Sequence, residues 1–147
     1  MNEFELIPVT DESGLVICKE IRRRVFIDEQ GVEESLEIDE HDVVGGKCRH
    51  YYALAGGVPA AAFRCMNKGA GIARLQRFCV LQAYRKAGLG RFMLERLEDI
   101  CRARNFNIIE MGAQCHAAPF YEKCGYSVVS GVFMDAGIEH VKMEKIL

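Results

Sequence analysis

Residues 72–104 read IARLQRFCVLQAYRKAGLGRFMLERLEDICRAR, and they hold a strand, a turn and a helix in that order. Ile72 to Leu81 reads as a long strand. From Gly88 to Arg104 the period changes to that of a helix, with Leu89, Phe92, Met93, Leu97, Ile100 and Cys101 on one stripe. Arg91–Glu95 and Glu98–Arg102 stand at i,i+4 with opposite sign on the other side. Between the two lies Arg85-Lys86-Ala87-Gly88-Leu89-Gly90. A loop turning from strand into helix presents backbone N–H groups that have no intrahelical partner. Gly88 and Gly90 carry no Cβ and let a ligand come close, while Arg85 and Lys86 add positive charge. Together these describe an anion site suited to a phosphate or pyrophosphate.

Several occupants are compatible with such a loop. The P-loop run GxxxxGK[ST] does not occur. The dinucleotide fingerprint GxGxxG lacks its third glycine, because Arg91, Phe92 and Met93 follow Gly90. The pyrophosphate of coenzyme A remains, beside an ordinary strand–helix turn whose glycines serve geometry alone.

Working outward, Glu3 to Val9 alternates as an edge-type strand. Thr10 or Asp11 caps an amphipathic helix with Leu15, Cys18, Ile21, Val25 and Phe26 inside and Lys19, Glu20, Arg22, Arg23 and Arg24 outside. Residues 28–42 (DEQGVEESLEIDEHD) are strongly acidic and mix loop with short helix. Tyr51–Ala55 and Val58–Phe63 flank Gly56-Gly57 as a hairpin, with a further turn at Asn67-Lys68-Gly69. Asn107–Ala113 is a buried strand, and Ala117–Cys124 a short helix stopped by Gly125. Tyr126–Val129 and Ile138–Ile146 close the chain as strands. The fold class is α/β (α+β): one domain over residues 1–147, a mixed and mostly antiparallel sheet of six to seven strands with helices on both faces.

The chain has 147 residues, half of them hydrophobic, with 19 Lys and Arg against 21 Asp and Glu. This balance gives no basic excess for nucleic acid. No apolar run reaches the ~18 residues of a membrane span, and the acidic start is not a signal peptide. The seven cysteines are scattered, without a CxxC pair, and read as reduced thiols of a cytoplasmic protein. The four histidines show no metal-ligand spacing, so no metal is expected.

At the loop the chain resembles the GNAT superfamily of N-acetyltransferases, whose signature [RQ]-x-x-G-x-[GA] is matched by residues 85–90. Residues 77–85 (RFCVLQAYR) resemble the family's preceding strand, and Phe120-Tyr121-Glu122-Lys123-Cys124-Gly125-Tyr126 its F-Y-x-K-x-G-[FY] segment. The resemblance is nearest to small bacterial ElaA-like acetyltransferases, through residues 22–32 (RRRVFIDEQGV), Ala113-Gln114-Cys115-His116 and Gly137-Ile138-Glu139-His140. It covers essentially the whole chain. Departures are Gln82-Ala83, where proline is common, and Cys124, where leucine is usual.

The resemblance implies an acetyl-CoA-dependent transfer to a primary amine of a small molecule, by direct attack in a ternary complex. It implies a strand splayed from Asn107–Ala113, with the backbone of Phe78, Cys79 and Val80 pairing with pantetheine, and residues Arg85, Lys86, Ala87, Gly88, Leu89, Gly90 and Arg91 around the pyrophosphate. Tyr121 becomes the candidate general acid for the departing thiolate. The general base stays open among Glu110, Glu29, His116 and a water. Each has a plainer reading, as a sheet-edge carboxylate, a surface charge or a capping side chain. The acidic segment 33–42 is either a lure for a cationic amine or a solvated face. A homodimer is a possible assembly. The alternative from another class is a non-catalytic CoA-binding sensor of the same fold.

Overall fold

A computed structural model describes residues 3–147. Strand β1 (Phe4–Pro8) leads into α1 (Glu12–Arg22), whose N-terminus is capped by the Asp11 carboxylate accepting from the Gly14 N–H. The helix then widens into a π-helical stretch, Arg23–Glu29, before the short α2 (Glu34–Glu37). Strands β2 (Cys48–Ala55), β3 (Val58–Gly69) and β4 (Ile72–Val80) follow. Helix α3 (Leu89–Ala103) leads to β5 (Ile108–Gln114), α4 (Ala118–Lys123), β6 (Ser127–Val128), β7 (Phe133–Asp135) and β8 (Ile138–Ile146).

The strands form one sheet in the order β1-β2-β3-β4-β5-β8-β6, with β7 also on β8. Strands β1 to β4 run as an antiparallel meander. The hairpin between β2 and β3 turns at Gly56 and Gly57, both at positive φ. Helix α3 carries the chain across to β5, which lies parallel to β4. Among the described residues the sheet thus has eight strands, where the sequence predicts six to seven. The added strand, β7, is three residues long, too short to show a period of two. Strand β3 also runs on through Asn67-Lys68-Gly69, so the turn falls at Ala70-Gly71.

Apolar cores fill both faces. On one face Leu89, Met93, Leu94, Leu97 and Cys101 of α3 pack on Phe63, Leu75, Ile109, Met111 and Met143. Burying each of the larger side chains is worth about 1.5–3 kcal/mol. On the other face Cys18 and Ile21 of α1, and Val25 just after it, meet Ala62, Cys79 and Leu81.

Two charge assignments differ from the helical-wheel reading. Arg22 is 1% exposed rather than on the solvent side. It binds Glu37 and Asp42, Arg64 binds Asp39 and Asp42, and Arg77 binds Glu37. Glu37 and Asp42 are thereby buried, and Asp39 half-buried, as counter-charge for three arginines. Glu98 is buried too, accepting from the Tyr126 hydroxyl and from Lys145, while Arg102 pairs with Asp99. Among the described residues no helix is long and apolar enough to cross a membrane.

Candidate active site

The β4–β5 pair changes character along its length. It is zipped from Ile72↔Ile108 to Leu75↔Met111, and pairing stops there. Opposite β3 the register slips between Ala62↔Cys79 and Arg64↔Gln76, so two residues of β4 face one of β3. This bulge places Arg77 at φ 56, a left-handed conformation that a non-glycine residue seldom takes. Its guanidinium is anchored by the carbonyls of Leu36 and Glu37. Bulge and anchor turn β4 away from β5 and open a cleft of about 870 Å³ between them.

Phe78, Cys79 and Val80 line this cleft from β4, and Gly112, Ala113 and Gln114 from β5. The Leu81 N–H donates to the Ala60 carbonyl on the β3 side. Backbone alternation therefore turns Phe78 and Val80 toward the open edge. The Val80 carbonyl there accepts from Arg85 Nε at 2.9 Å. Phe78 itself packs in an aromatic chain with Phe63, Phe120 and Tyr121. The Cys79 thiol, pushed up to about 12 by burial, stays protonated and is no nucleophile.

At the end of the cleft the loop closes on the N-terminus of α3. Gly88 sits at φ 89 and no side chain caps the helix, so its first N–H groups remain free for a ligand. Gly90 has a packing role that the sequence does not show. A Cβ there would lie 2.9 Å from the Phe120 ring, so its small size seats α4 against α3. Arg85 is also turned elsewhere: its two terminal nitrogens grip Glu29 at 2.6 Å each. The hydrogen bonds from Arg85 hold the Glu29 carboxyl below its ordinary value. The cations on the cleft wall near the helix start are then Lys86, Arg91 and Lys123. Leu89 lines the cleft as well, whereas Ala87 is exposed in the loop outside its lining.

The candidate proton-transfer residues separate clearly. Tyr121 of α4 lines the cleft, and its hydroxyl has no partner among the described residues. Burial raises its pKa, with the Cys79 and Cys124 sulfurs adding to the effect, so it remains a donor at neutral pH. Glu110 lies outside the cleft lining, held by Lys68 at 2.9 Å, Arg74 at 2.8 Å and Lys142 at 3.7 Å. Burial would raise its pKa, but the Lys68 hydrogen bond and these charges outweigh it and lower it. A carboxylate so engaged is a poor proton acceptor. His116 lines the cleft from an exposed one-turn helix, Cys115–Ala117.

Sequence reading missed other parts of the site. The π-helical stretch delivers Glu29, a candidate base from the sequence, and the following Gln30, which the sequence does not single out, to the cleft. Gln30 and Gln114 exchange two amide hydrogen bonds, 3.1 and 2.8 Å, that tie it to the end of β5. Phe133 of β7 stacks on His140 and covers Gly112. Nothing in the spacing of residues 23–29 announces a π-helix, and Phe133 sits in a segment without period. Among the described residues no three His, Cys, Asp or Glu side chains gather in a way that would hold a metal ion.

Comparisons with known proteins agree with this geometry. Residues 12–147 match the model of the acetyltransferase (GNAT) domain. A Bacillus subtilis (strain 168) protein designated a candidate acetyltransferase is 40% identical over 137 residues, 93% of this chain and 92% of that one. Two solved structures share the fold: Escherichia coli ElaA, with TM-score 0.83, 23% identity and 99% of both chains covered; and an aminoglycoside 6'-N-acetyltransferase complexed with coenzyme A, with TM-score 0.78, 15% identity, and 97% of this chain and 96% of that one covered. From the family model over nine-tenths of its length and a relative at 40% identity, we conclude that the chain is an enzyme belonging to the GNAT acetyltransferase family.

Proposed function

We propose that this enzyme moves the acetyl group of acetyl-CoA to a primary amine of a small molecule, by direct attack in a ternary complex. The observation that carries the reading is the half-open β4–β5 pair leading to an uncapped, glycine-led helix start. A pantetheine arm has amides that suit the free backbone edge at Phe78 and Val80. A pyrophosphate suits the N–H groups of residues 88–91, beside Lys86 and Arg91. Cys79 sits between these as a buried wall of the channel. In this arrangement Arg85 acts indirectly, fixing the π-helical stretch and the Val80 carbonyl rather than touching phosphate. The thioester carbonyl then lies near the β4 bulge, where a backbone N–H stabilises the oxyanion. The Tyr121 hydroxyl donates to the sulfur as negative charge builds on it. The fold relative whose name records bound coenzyme A supports the choice of cofactor.

Thermal shift with acetyl-CoA, CoA, NADH and ATP tests the cofactor. A CoA form at 100 times its dissociation constant adds about 2.7 kcal/mol of stability. Release of CoA with glucosamine 6-phosphate, spermidine and lysine as probe amines then tests the transfer. Stabilisation by acetyl-CoA and CoA alone, followed by amine-dependent CoA release, is the expected result. Stabilisation by NADH or ATP instead overturns the reading, and binding of CoA without turnover across an extended amine panel favours a sensor.

A further inference from the structure

Of the carboxylates that line the cleft, Glu29 is engaged by Arg85 and Glu37 by Arg22 and Arg77, while Asp135 stands on the exposed strand β7. Glu110, outside it, is engaged by three cations. The uncommitted bases on the cleft wall are Asp135, His116 and His140, and of these only His140 is both buried and held in a defined state. His140 of β8 is 8% exposed and lines the cleft. Its Nδ1 lies 2.7 Å from the Ile138 carbonyl oxygen. A carbonyl only accepts, so Nδ1 carries the hydrogen. In the neutral ring the lone pair then sits on Nε2.

That nitrogen has no partner among the described residues. Among the described residues no deeply buried side-chain nitrogen or oxygen lacks a hydrogen bond, so Nε2 is not sealed in the core, and its residue lines the cleft. The ring is fixed from its flank by Phe133, stacked at 5.8 Å and 26°. Phe133 in turn lies over Gly112, where a Cβ would come within 3.4 Å of it. His140 stands opposite Gln114, three residues past the last zipped residue of β5. A base at that place faces the open half of the strand pair. His116, by contrast, sits on an exposed turn with no such anchor.

We propose that His140 is the general base for the acceptor amine, an inference that rests on the acetyl-transfer reading above. In the step, the amine nitrogen bonds to the acetyl carbon and the carbon–sulfur bond breaks. The sulfur takes the Tyr121 proton, and the proton lost by the attacking nitrogen passes to Nε2 of His140. Solvent then removes that proton from His140 and returns one to Tyr121. The titratable groups on the elements packed around His140 are Asp135 of β7, His116 of the one-turn helix, Glu110 of β5, and Glu139 and Lys142 of β8. None of them forms an ion pair with it, and Lys142 is directed to Glu110.

Two measurements test the proposal. Nitrogen-15 NMR of histidine-labelled wild type reads the tautomer without any need for turnover. The Nδ1–H form is expected for His140, and an Nε2–H form in the neutral ring overturns the assignment. The second measurement is CoA release across pH with the probe amines, on wild type, His140→Asn and His140→Gln. The asparagine amide keeps a donor for the Ile138 carbonyl but offers no proton acceptor. Both variants are expected to lose about 10²–10³-fold in kcat at pH 7.5, with acetyl-CoA affinity within twofold. The deficit should shrink at high pH, where hydroxide can take the proton of the attacking nitrogen in place of the imidazole. Retention of wild-type kcat and of its acid limb in either variant overturns the proposal. Loss of acetyl-CoA binding by wild type instead defeats the acetyl-transfer reading, while the tautomer still reports on His140.

Discussion

The two halves of β4 are made from similar residues and do opposite things. From Ile72 to Leu75 the strand is zipped to β5, and the Arg74 side chain is spent on Glu110 across the pair. From Arg77 to Val80 the partner is gone, one residue sits at positive φ, and backbone groups face open space. Open edges and unmet N–H groups are ordinarily penalised in a fold. Their persistence here, over a buried and well-paired base, marks where binding energy from outside is to be collected. The two long helices repeat the contrast. Helix α1 is closed by its own Asp11, whereas α3 begins at a glycine with nothing over its N–H groups.

The sharpest way to break the contrast is to remove what pins the bulge. Asp42 is 5% exposed and joins Arg22 to Arg64, beside the Glu37 that holds Arg77. Asp42→Asn is expected to cost about 3–5 kcal/mol in urea denaturation, since two buried arginines each lose one of their two carboxylate partners. The same network sets an acid limit. Burial alone would raise the Asp42 pKa, but hydrogen bonds from Arg22 and the Asp39 N–H, with the Arg22 and Arg64 charges, hold it well below the carboxylate range. The hydrogen bond from Arg64 lowers Asp39 as well. For groups depressed in the folded state, the stabilisation is complete above the unfolded pKa of about 3.9. It is lost as pH falls below that value, and Asp42→Asn should flatten the loss.

Next in size is Tyr121→Phe. Its hydroxyl makes no hydrogen bond among the described residues, so denaturation midpoints should barely move, while kcat falls about 100-fold. Equal kcat in the two proteins would remove Tyr121 from the chemistry. Gly88→Ala follows. A Cβ at φ 89 costs about 1–2 kcal/mol, read as a Tm drop of roughly 2–8 °C and weaker acetyl-CoA binding by calorimetry. The smallest effect on turnover is expected for Glu110→Gln on the zipped side. Its kcat should stay within about threefold of wild type, because Glu110 serves the strand pair and not the cleft. A loss of kcat near that of Tyr121→Phe would return Glu110 to the role of base.

The zipped regions are also the parts that the sequence made legible. Period and turn chemistry suffice for the meander, for α3 and for the stop at Gly125, because those elements obey local rules. Gly88 is readable for the same reason. What stays hidden depends on long-range partners. Arg22 occupies a helical position that suits solvent, and only the folding back of Glu37 and Asp42 makes it buried. Arg85 fits a phosphate-site signature, yet Glu29, 56 residues away, takes its guanidinium. The bulge at Arg77 breaks a rule of backbone conformation, and no residue type there signals it. His116 and His140 look alike in sequence, and only the Ile138 carbonyl and the Phe133 ring distinguish His140.

Hydrogen–deuterium exchange with and without acetyl-CoA tests the central claim most directly. If the open half of β4 and the start of α3 hold the cofactor, protection should rise at Phe78–Val80 and at residues 86–91. The zipped amides of Ile72–Leu75 should stay unchanged. Protection confined to some other surface, or none at saturating acetyl-CoA, would contradict it.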